Sequence, residues 1–145
     1  MVLKIFKGVW FFSLLGLLGS FLFVYASVPE HVVIHEGSGI REISREGLFY
    51  GSIALIAVCN VLVYVMSALH RSSHDFLAWF YGLIITLNVF FVIALNFLNL
   101  YNSNEQYRYE SIGFIIYASV VLFVLWALSW PVILLVRKIG RKPSV

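Results

Sequence analysis

The chain has 145 residues, of which 61% are hydrophobic and 12% charged. Soluble domains carry about 25% charged residues, so this composition excludes an ordinary water-soluble domain and favours an integral membrane protein. The net charge of +3 comes from basic residues near the chain ends, without the aromatic-interleaved basic stripe of a nucleic-acid binder. We expect no nucleic-acid partner, and the single Cys59 excludes an intrachain disulfide.

Four apolar segments are long enough to cross a membrane, for which about 20 residues are needed. They comprise residues 8–28, 48–69, 76–100 and 112–136, and none contains Asp, Glu, Lys, Arg or His. Because the backbone finds no water in the hydrocarbon, each segment must be helical. The predicted fold is an all-α, four-helix transmembrane bundle, with one membrane domain over 1–145.

The first span also has features of a cleavable signal peptide, since Lys4 and Lys7 precede its apolar run and small residues surround Ala26. That run is longer than the roughly 7–15 apolar residues of a signal peptide, so we expect it to be kept as a membrane helix. Within it, Gly16 and Gly19 would let another helix approach closely.

The basic residues predict the orientation of the bundle, because cytoplasmic flanks collect Lys and Arg. Four spans place seven basic residues on the side of both termini: Lys4, Lys7, Arg71, Arg137, Lys138, Arg141 and Lys142. Three lie on the other side: Arg41, Arg45 and Arg108. We therefore predict that both termini face the cytoplasm, and the small size suggests a bacterial inner membrane.

The connector at 29–47 is the longest polar stretch between the spans, and we predict that it is an extracytoplasmic recognition surface. Its candidate partner-binding residues are Pro29, Glu30, His31, His35, Arg41 and Arg45. The charges of "REISREG" (41–47) stand four residues apart in pairs, which predicts a short amphipathic helix on the outer surface.

Two pairs of histidines offer metal ligands, His31 with His35 and His70 with His74. A convincing site needs a third or fourth ligand, and the predicted topology puts the two pairs on opposite sides of the membrane. We therefore assign no metal and no cofactor, with a metal-dependent enzyme at the first pair as the weakest alternative. The chain has no Gly-rich phosphate loop, H-E-x-x-H or G-x-S-x-G motif, and we predict that it is not an enzyme.

Three of the four asparagines inside the spans are candidate intramembrane polar residues: Asn60, Asn88 and Asn96. Asn60 and Asn88 lie at similar depths on either side of the short linker "HRSSHD". Their amides can therefore hydrogen-bond and fix a tight antiparallel hairpin of the second and third spans. The alternative is that the three amides line the path of an oligomeric small-solute transporter or channel. Ion-coupled transport requires ionisable residues within the membrane, and the spans hold none.

The tryptophans are typical of the aromatic belts at membrane surfaces. Trp10 and Trp79 lie near the starts of their spans, and Trp126 and Trp130 lie beside Pro131 in the fourth. We expect these rings to anchor the helix ends among lipid headgroups, and we expect Pro131 to bend the fourth helix.

The stretch "VPEHVVIHEGSG" (28–39) resembles the signature of small bacterial membrane proteins of the SdpI immunity type, which follows their first membrane helix. The matching positions are Val28, Pro29, Glu30, Val32 and His35, with Gly37 or Gly39 at the turn. Val33 stands where that family has a second proline. The resemblance implies a non-enzymatic, multi-helix bacterial inner-membrane protein that acts in toxin immunity or in signalling through a partner.

Together these features predict a non-catalytic membrane protein that works by protein–protein contact. It would be an accessory subunit of a membrane complex, or an immunity or signal-relay protein. Its expected surroundings are the lipid bilayer and other membrane protein subunits.

Overall fold

The computed structural model describes residues 1–36, 40–103 and 109–140, apart from the side chains at 35–36, 40–41 and 109–112. In chain order it contains α1 (Val2–Ser27), β1 (His31–Glu36), β2 (Ile40–Ser44), α2 (Arg45–Leu69), α3 (His74–Tyr101) and α4 (Tyr109–Gly140). All four helices are long and apolar enough to cross a membrane. The four predicted helices are thereby confirmed.

The helix ends follow from local sequence chemistry. α1 stops where Val28 turns extended, with φ −75° and ψ 148°, because the residue before a proline avoids the helical region. α2 begins where the Ser44 hydroxyl accepts a hydrogen bond from the Gly47 backbone N–H at 3.1 Å, which satisfies an otherwise unpaired amide of the first turn. These two ends define where the polar connector lies.

The connector between α1 and α2 is a β-hairpin, so the amphipathic helix predicted over 41–47 is wrong over 41–44. β1 and β2 pair antiparallel, with Val32 opposite Ile43, and both side chains pack against the helix ends. A strand directs alternate side chains to one face, which lets this pair reach the apolar cluster while neighbouring charges stay in water. Helix begins only at Arg45.

α3 lies at the centre of the bundle. It contacts α1 most extensively, then α4, then α2, whereas α1 and α2 touch at few positions. The predicted α2–α3 hairpin is joined by a short turn, in which the Ser73 N–H donates to the His70 carbonyl oxygen at 3.0 Å. The contact between α2 and α3 is nevertheless less extensive than that between α1 and α3, so neighbours in sequence are not the principal neighbours in space.

Two apolar clusters lie along the bundle, one toward each end. The cluster at the hairpin end contains Leu17, Phe21, Val24, Val28, Val32, Ile56 and Leu95. The cluster at the terminal end, where α1 begins, the α2–α3 turn lies and α4 ends, contains Trp10, Val63, Tyr81 and Ile84. Only 6% of the most apolar 18-residue stretch of α4 is buried, so in a membrane most of that helix would contact lipid.

Candidate functional site: a polar layer and an anchored hairpin

A layer of polar side chains lies between the two apolar clusters, which Leu14 also connects. Asn60 Nδ2 donates to Asn88 Oδ1 at 3.0 Å, and Asn88 Nδ2 donates to Asn60 Oδ1 at 3.2 Å. Asn60 is 5% exposed and Asn88 is fully buried. The amide pair that the sequence predicts is therefore present, and it is reciprocal.

α1 completes this layer. Trp10 Nε1 donates to Asn60 Oδ1 at 2.9 Å, and Asn88 Nδ2 donates to the Ser13 hydroxyl at 3.0 Å. Asn60 Nδ2 also donates a hydrogen bond to the Ile56 carbonyl oxygen at 2.9 Å. Each amide nitrogen thus donates to two acceptors within the protein, which is all that an amide nitrogen can do.

Trp10 is a core residue, and its predicted place in a headgroup belt is wrong. The side chain is 6% exposed and packs edge-on against Tyr81, with ring centroids 5.6 Å apart. A buried indole N–H needs an acceptor, and Asn60 supplies one. Neither Ser13 nor the acceptor role of Asn60 toward Trp10 is readable from sequence spacing, because both depend on how α1 crosses the other helices.

Asn96 lies outside the polar layer. Its amide donates to the Ser20 hydroxyl of α1 and to the Val92 carbonyl oxygen, and its side chain is exposed. Eight residues separate it from Asn88, which is about 12 Å along a helix at 1.5 Å per residue. The structure therefore brings two of the three predicted asparagines together and leaves the third at the rim of the α1–α3 contact.

The α3–α4 contact is built on two tryptophans. Trp79 Nε1 donates to the Trp126 carbonyl oxygen, and Trp126 Nε1 donates to the Trp79 carbonyl oxygen, both at 2.9 Å. These two rings therefore hold α3 and α4 together, a contact that the sequence did not predict, and their predicted place in a headgroup belt stays a prediction. Trp130 joins them, with its ring centroid 5.6 Å from that of Trp79.

Gly82 makes the close approach of α4 possible. A methyl group added at Gly82 would lie 2.6 Å from Trp126 Cε2, far inside van der Waals contact. At Gly16 and Gly19, by contrast, an added methyl would meet nothing within 4 Å in the described part of the chain, so no described helix of this chain makes the close approach predicted there. An isolated glycine inside an apolar span is the signal that could have identified Gly82.

The hairpin is fastened to the end of α3 by Asn102. Its Oδ1 accepts from the Val33 backbone N–H at 2.7 Å, and its Nδ2 donates to the Val33 carbonyl oxygen at 3.0 Å. The side-chain amide thus pairs with β1 as a neighbouring strand would. A backbone bond from the Arg45 N–H to the Glu30 carbonyl oxygen, 2.8 Å long, closes the base of the hairpin. Sequence reasoning missed Asn102 because it lies at the end of a span, apart from any motif.

The predicted partner-binding residues divide into three groups. Pro29, Glu30 and His31 are exposed. Arg45 is half-buried, with its guanidinium carbon 5.3 Å from the centroid of the Tyr25 ring and its Nε buried without a hydrogen-bond partner. The side chains of the remaining two, His35 and Arg41, lie outside the described part of the chain.

Among the described residues, no three His, Cys, Asp or Glu side chains come together as metal ligands do. Since the side chain of His35 is outside that part, the alternative metal site at His31 and His35 stays an untested prediction. The architecture is that of a chain with four helices able to span a membrane and a hairpin fastened over one end. No protein-family model, curated protein or solved structure matches the chain, and the resemblance to the SdpI type also stays a prediction.

Proposed function

We propose that the chain is a multi-pass protein of a bacterial inner membrane that works without catalysis, by contact with another protein. It would serve as an accessory subunit of a membrane complex, or as an immunity or signal-relay protein. The observation that carries this proposal is the pairing of Asn102 with both backbone groups of Val33. A simple connector between two spans needs no such fastening.

The fastened hairpin offers a defined surface to a partner. An isolated two-stranded hairpin is marginally stable in water, but this one buries Val32 completely and is held by α3. The hairpin also exposes an apolar side chain, Ile34, which is 52% exposed and lies at the register shift of β1 between Val33 and His35; Glu30 and His31, a few residues earlier in the chain, are exposed polar residues. An apolar centre with a polar surround is the usual composition of a protein–protein contact.

The polar layer supports contact over transport. A solute passing between the helices would have to replace the bonds that Asn60 and Asn88 make with each other, and Asn96 lies away from them. The spans also lack the ionisable groups that coupled transport uses. The layer is thus best explained as a device that sets the packing of α1, α2 and α3.

The proposed orientation places the hairpin outside the cytoplasm. It rests on the unequal basic flanks, seven residues against three, because the side with more Lys and Arg stays cytoplasmic. With this orientation, the partner would be an extracytoplasmic domain or the outer surface of another membrane protein.

A photo-crosslinking experiment tests the proposal. A photoreactive amino acid at Ile34 should capture one defined protein, at near-stoichiometric yield, from the membranes of producing cells or after a toxin partner is added. The matched control is Tyr117 on α4, which is 73% exposed and should capture lipid. If the protein is extracted in mild detergent as a lone chain and the Ile34 probe captures lipid alone, the proposal is wrong.

A further inference from the structure

A groove of about 600 Å³ opens at the terminal end of the bundle, between the first turns of α1 and the first turn of α3. Its lining residues are Met1, Val2, Leu3, Lys4, Lys7, His74, Asp75 and Ala78. We call it the lysine groove. Its volume falls within the range of about 300–1,000 Å³ that is typical of small-molecule sites.

The groove carries unneutralised positive charge. Lys4 and Lys7 stand three residues apart on α1 and so share one face of the helix. Within the described residues, neither forms an ion pair. Lys7 Nζ lies 5.8 Å from the centroid of the Tyr81 ring, which keeps the ammonium beside the bundle. Two cations are therefore held at the same opening.

The acidic residue of the groove is already paired. Asp75 Oδ2 accepts a hydrogen bond from Arg137 Nη2 of α4 at 2.9 Å. That partner comes from outside the groove lining, so it offsets the carboxylate charge without using either lysine. The Asp75–Arg137 pair thereby leaves Lys4 and Lys7 available to an external anion.

The start of α3 adds to the attraction for an anion. The first backbone N–H groups of a helix have no partner within the helix and carry a partial positive charge. Ser73, the residue before the helix, makes no side-chain capping bond, while His74 and Asp75 of the first turn line the groove. This end of α3 therefore reinforces the field of the two lysines.

The depth of the groove matches the level of lipid phosphates. α1 has 26 residues, about 39 Å at 1.5 Å per residue, whereas the hydrocarbon core is about 30 Å thick. The apolar stretch that begins at Gly8 fills this core, so Lys4 and Lys7 lie just beyond it. Headgroup phosphates occupy that level on either face of a membrane.

We propose that the lysine groove binds the phosphate of an anionic phospholipid headgroup, with Lys4 and Lys7 as its direct partners. The apolar lining residues Val2, Leu3 and Ala78 would contact the glycerol and upper acyl carbons, which a free phosphate ion lacks. This site is independent of the hairpin and of any protein partner, and it does not require a particular orientation in the membrane.

Native mass spectrometry of the full chain in an uncharged detergent tests the site. The protein is titrated with short-chain phosphatidylglycerol, with short-chain phosphatidylcholine and with inorganic phosphate. We expect one phosphatidylglycerol to bind at least tenfold more tightly than phosphatidylcholine, and inorganic phosphate to compete weakly. Equal binding of the two lipids, or equal binding of inorganic phosphate and phosphatidylglycerol, overturns the proposal.

Variants locate the site within the molecule. Lys4→Gln combined with Lys7→Gln should weaken phosphatidylglycerol binding about 25-fold, since each basic side chain near an anionic surface contributes about fivefold. Lys138→Gln, which removes a basic residue at the same end but outside the groove, should change it less than twofold. The charge-conserving Lys4→Arg, Lys7→Arg variant should retain binding. An unchanged affinity in the double Gln variant would refute the assignment.

Variants of the Asp75–Arg137 pair provide a second test of phosphatidylglycerol binding in the lysine groove. Arg137→Gln leaves the Asp75 carboxylate without its partner, so its negative charge acts on the lysines. This should weaken phosphatidylglycerol binding about threefold to fivefold, since one charge near an anionic headgroup changes the affinity by up to about fivefold. Adding Asp75→Asn restores the net charge of the wild type and should restore the affinity. If Arg137→Gln has no effect, or if the double variant stays weak, the pair does not control the groove.

Discussion

The two sides of α3 are held by different means. Toward α1 and α2, buried side-chain amides, a serine hydroxyl and an indole N–H form a closed set of hydrogen bonds around Asn60 and Asn88. Toward α4, two tryptophans exchange bonds with each other's backbone across Gly82. The first contact depends on side-chain chemistry, whereas the second depends on how closely two backbones approach.

Both kinds of contact are those expected between helices that lie in a bilayer. Lipid tails are as apolar as leucine side chains, so burial alone drives association weakly, and small residues and interhelical hydrogen bonds decide the packing. The α1–α3 contact depends mostly on interhelical hydrogen bonds. The α3–α4 contact uses both, because Gly82 lets the Trp126 ring approach α3 closely while its indole N–H donates to the Trp79 carbonyl oxygen. Variants on the two sides of α3 should therefore lower the stability of the protein by different amounts.

Gly82→Ala is expected to have the largest effect on stability. The new methyl group collides with Trp126 and forces the ring away, which breaks the bonds between Trp79 and Trp126; overpacking of this kind costs about 2–3 kcal/mol. Thermal unfolding in detergent should show a lower midpoint. Gly16→Ala, with no atom within 4 Å of the added carbon, should leave the midpoint unchanged or raise it. Equal midpoints for the two variants would contradict the account of the α3–α4 contact.

Asn60→Leu is expected to cost about 1–2 kcal/mol, the upper part of the range for interhelical hydrogen bonds in membranes. The change leaves the Trp10 indole N–H without its acceptor in the hydrocarbon. Trp10→Phe should recover part of the loss in the double variant, which a double-mutant cycle of unfolding free energies would measure. Val61→Leu, at a neighbouring position that is 55% exposed, serves as the control. Additive effects of the two variants would show that the pair is not coupled.

Asn102→Leu is expected to have the smallest effect on global stability, because it releases the hairpin without touching the helix contacts. Loss of the two bonds to Val33 should lower the local free energy of opening by about 1 kcal/mol. Amide hydrogen exchange should therefore quicken across His31–Glu36 and remain unchanged in α3. Asn99→Leu, one turn earlier on the same helix, should leave exchange in the hairpin as it is. Unaltered exchange in Asn102→Leu would show that the hairpin is stable by itself.

The amide pair illustrates how far sequence reasoning extends to the site. Asn60 and Asn88 could be matched because the depth of each in the membrane can be counted in residues from the same short linker between two antiparallel helices. Trp10 and Ser13 could not be added to them, because a long polar connector separates α1 from α2 and α3, and its length does not fix how α1 is rotated or shifted relative to them. The hairpin was likewise hidden, since the charge spacing at 41–46 suits a helix and only the burial of Val32 favours a strand.

The sequence by itself determined that this chain forms four long helices, because apolar runs without titratable groups leave a backbone in hydrocarbon no alternative. It also determined the uneven distribution of basic charge between the two ends. The tertiary structure alone decided that α3 is central, that Trp10, Trp79 and Trp126 bind helices together and that Asn102 holds the hairpin. The physical reason is that these contacts depend on the rotation and crossing of separate helices, which hydropathy along the chain does not encode.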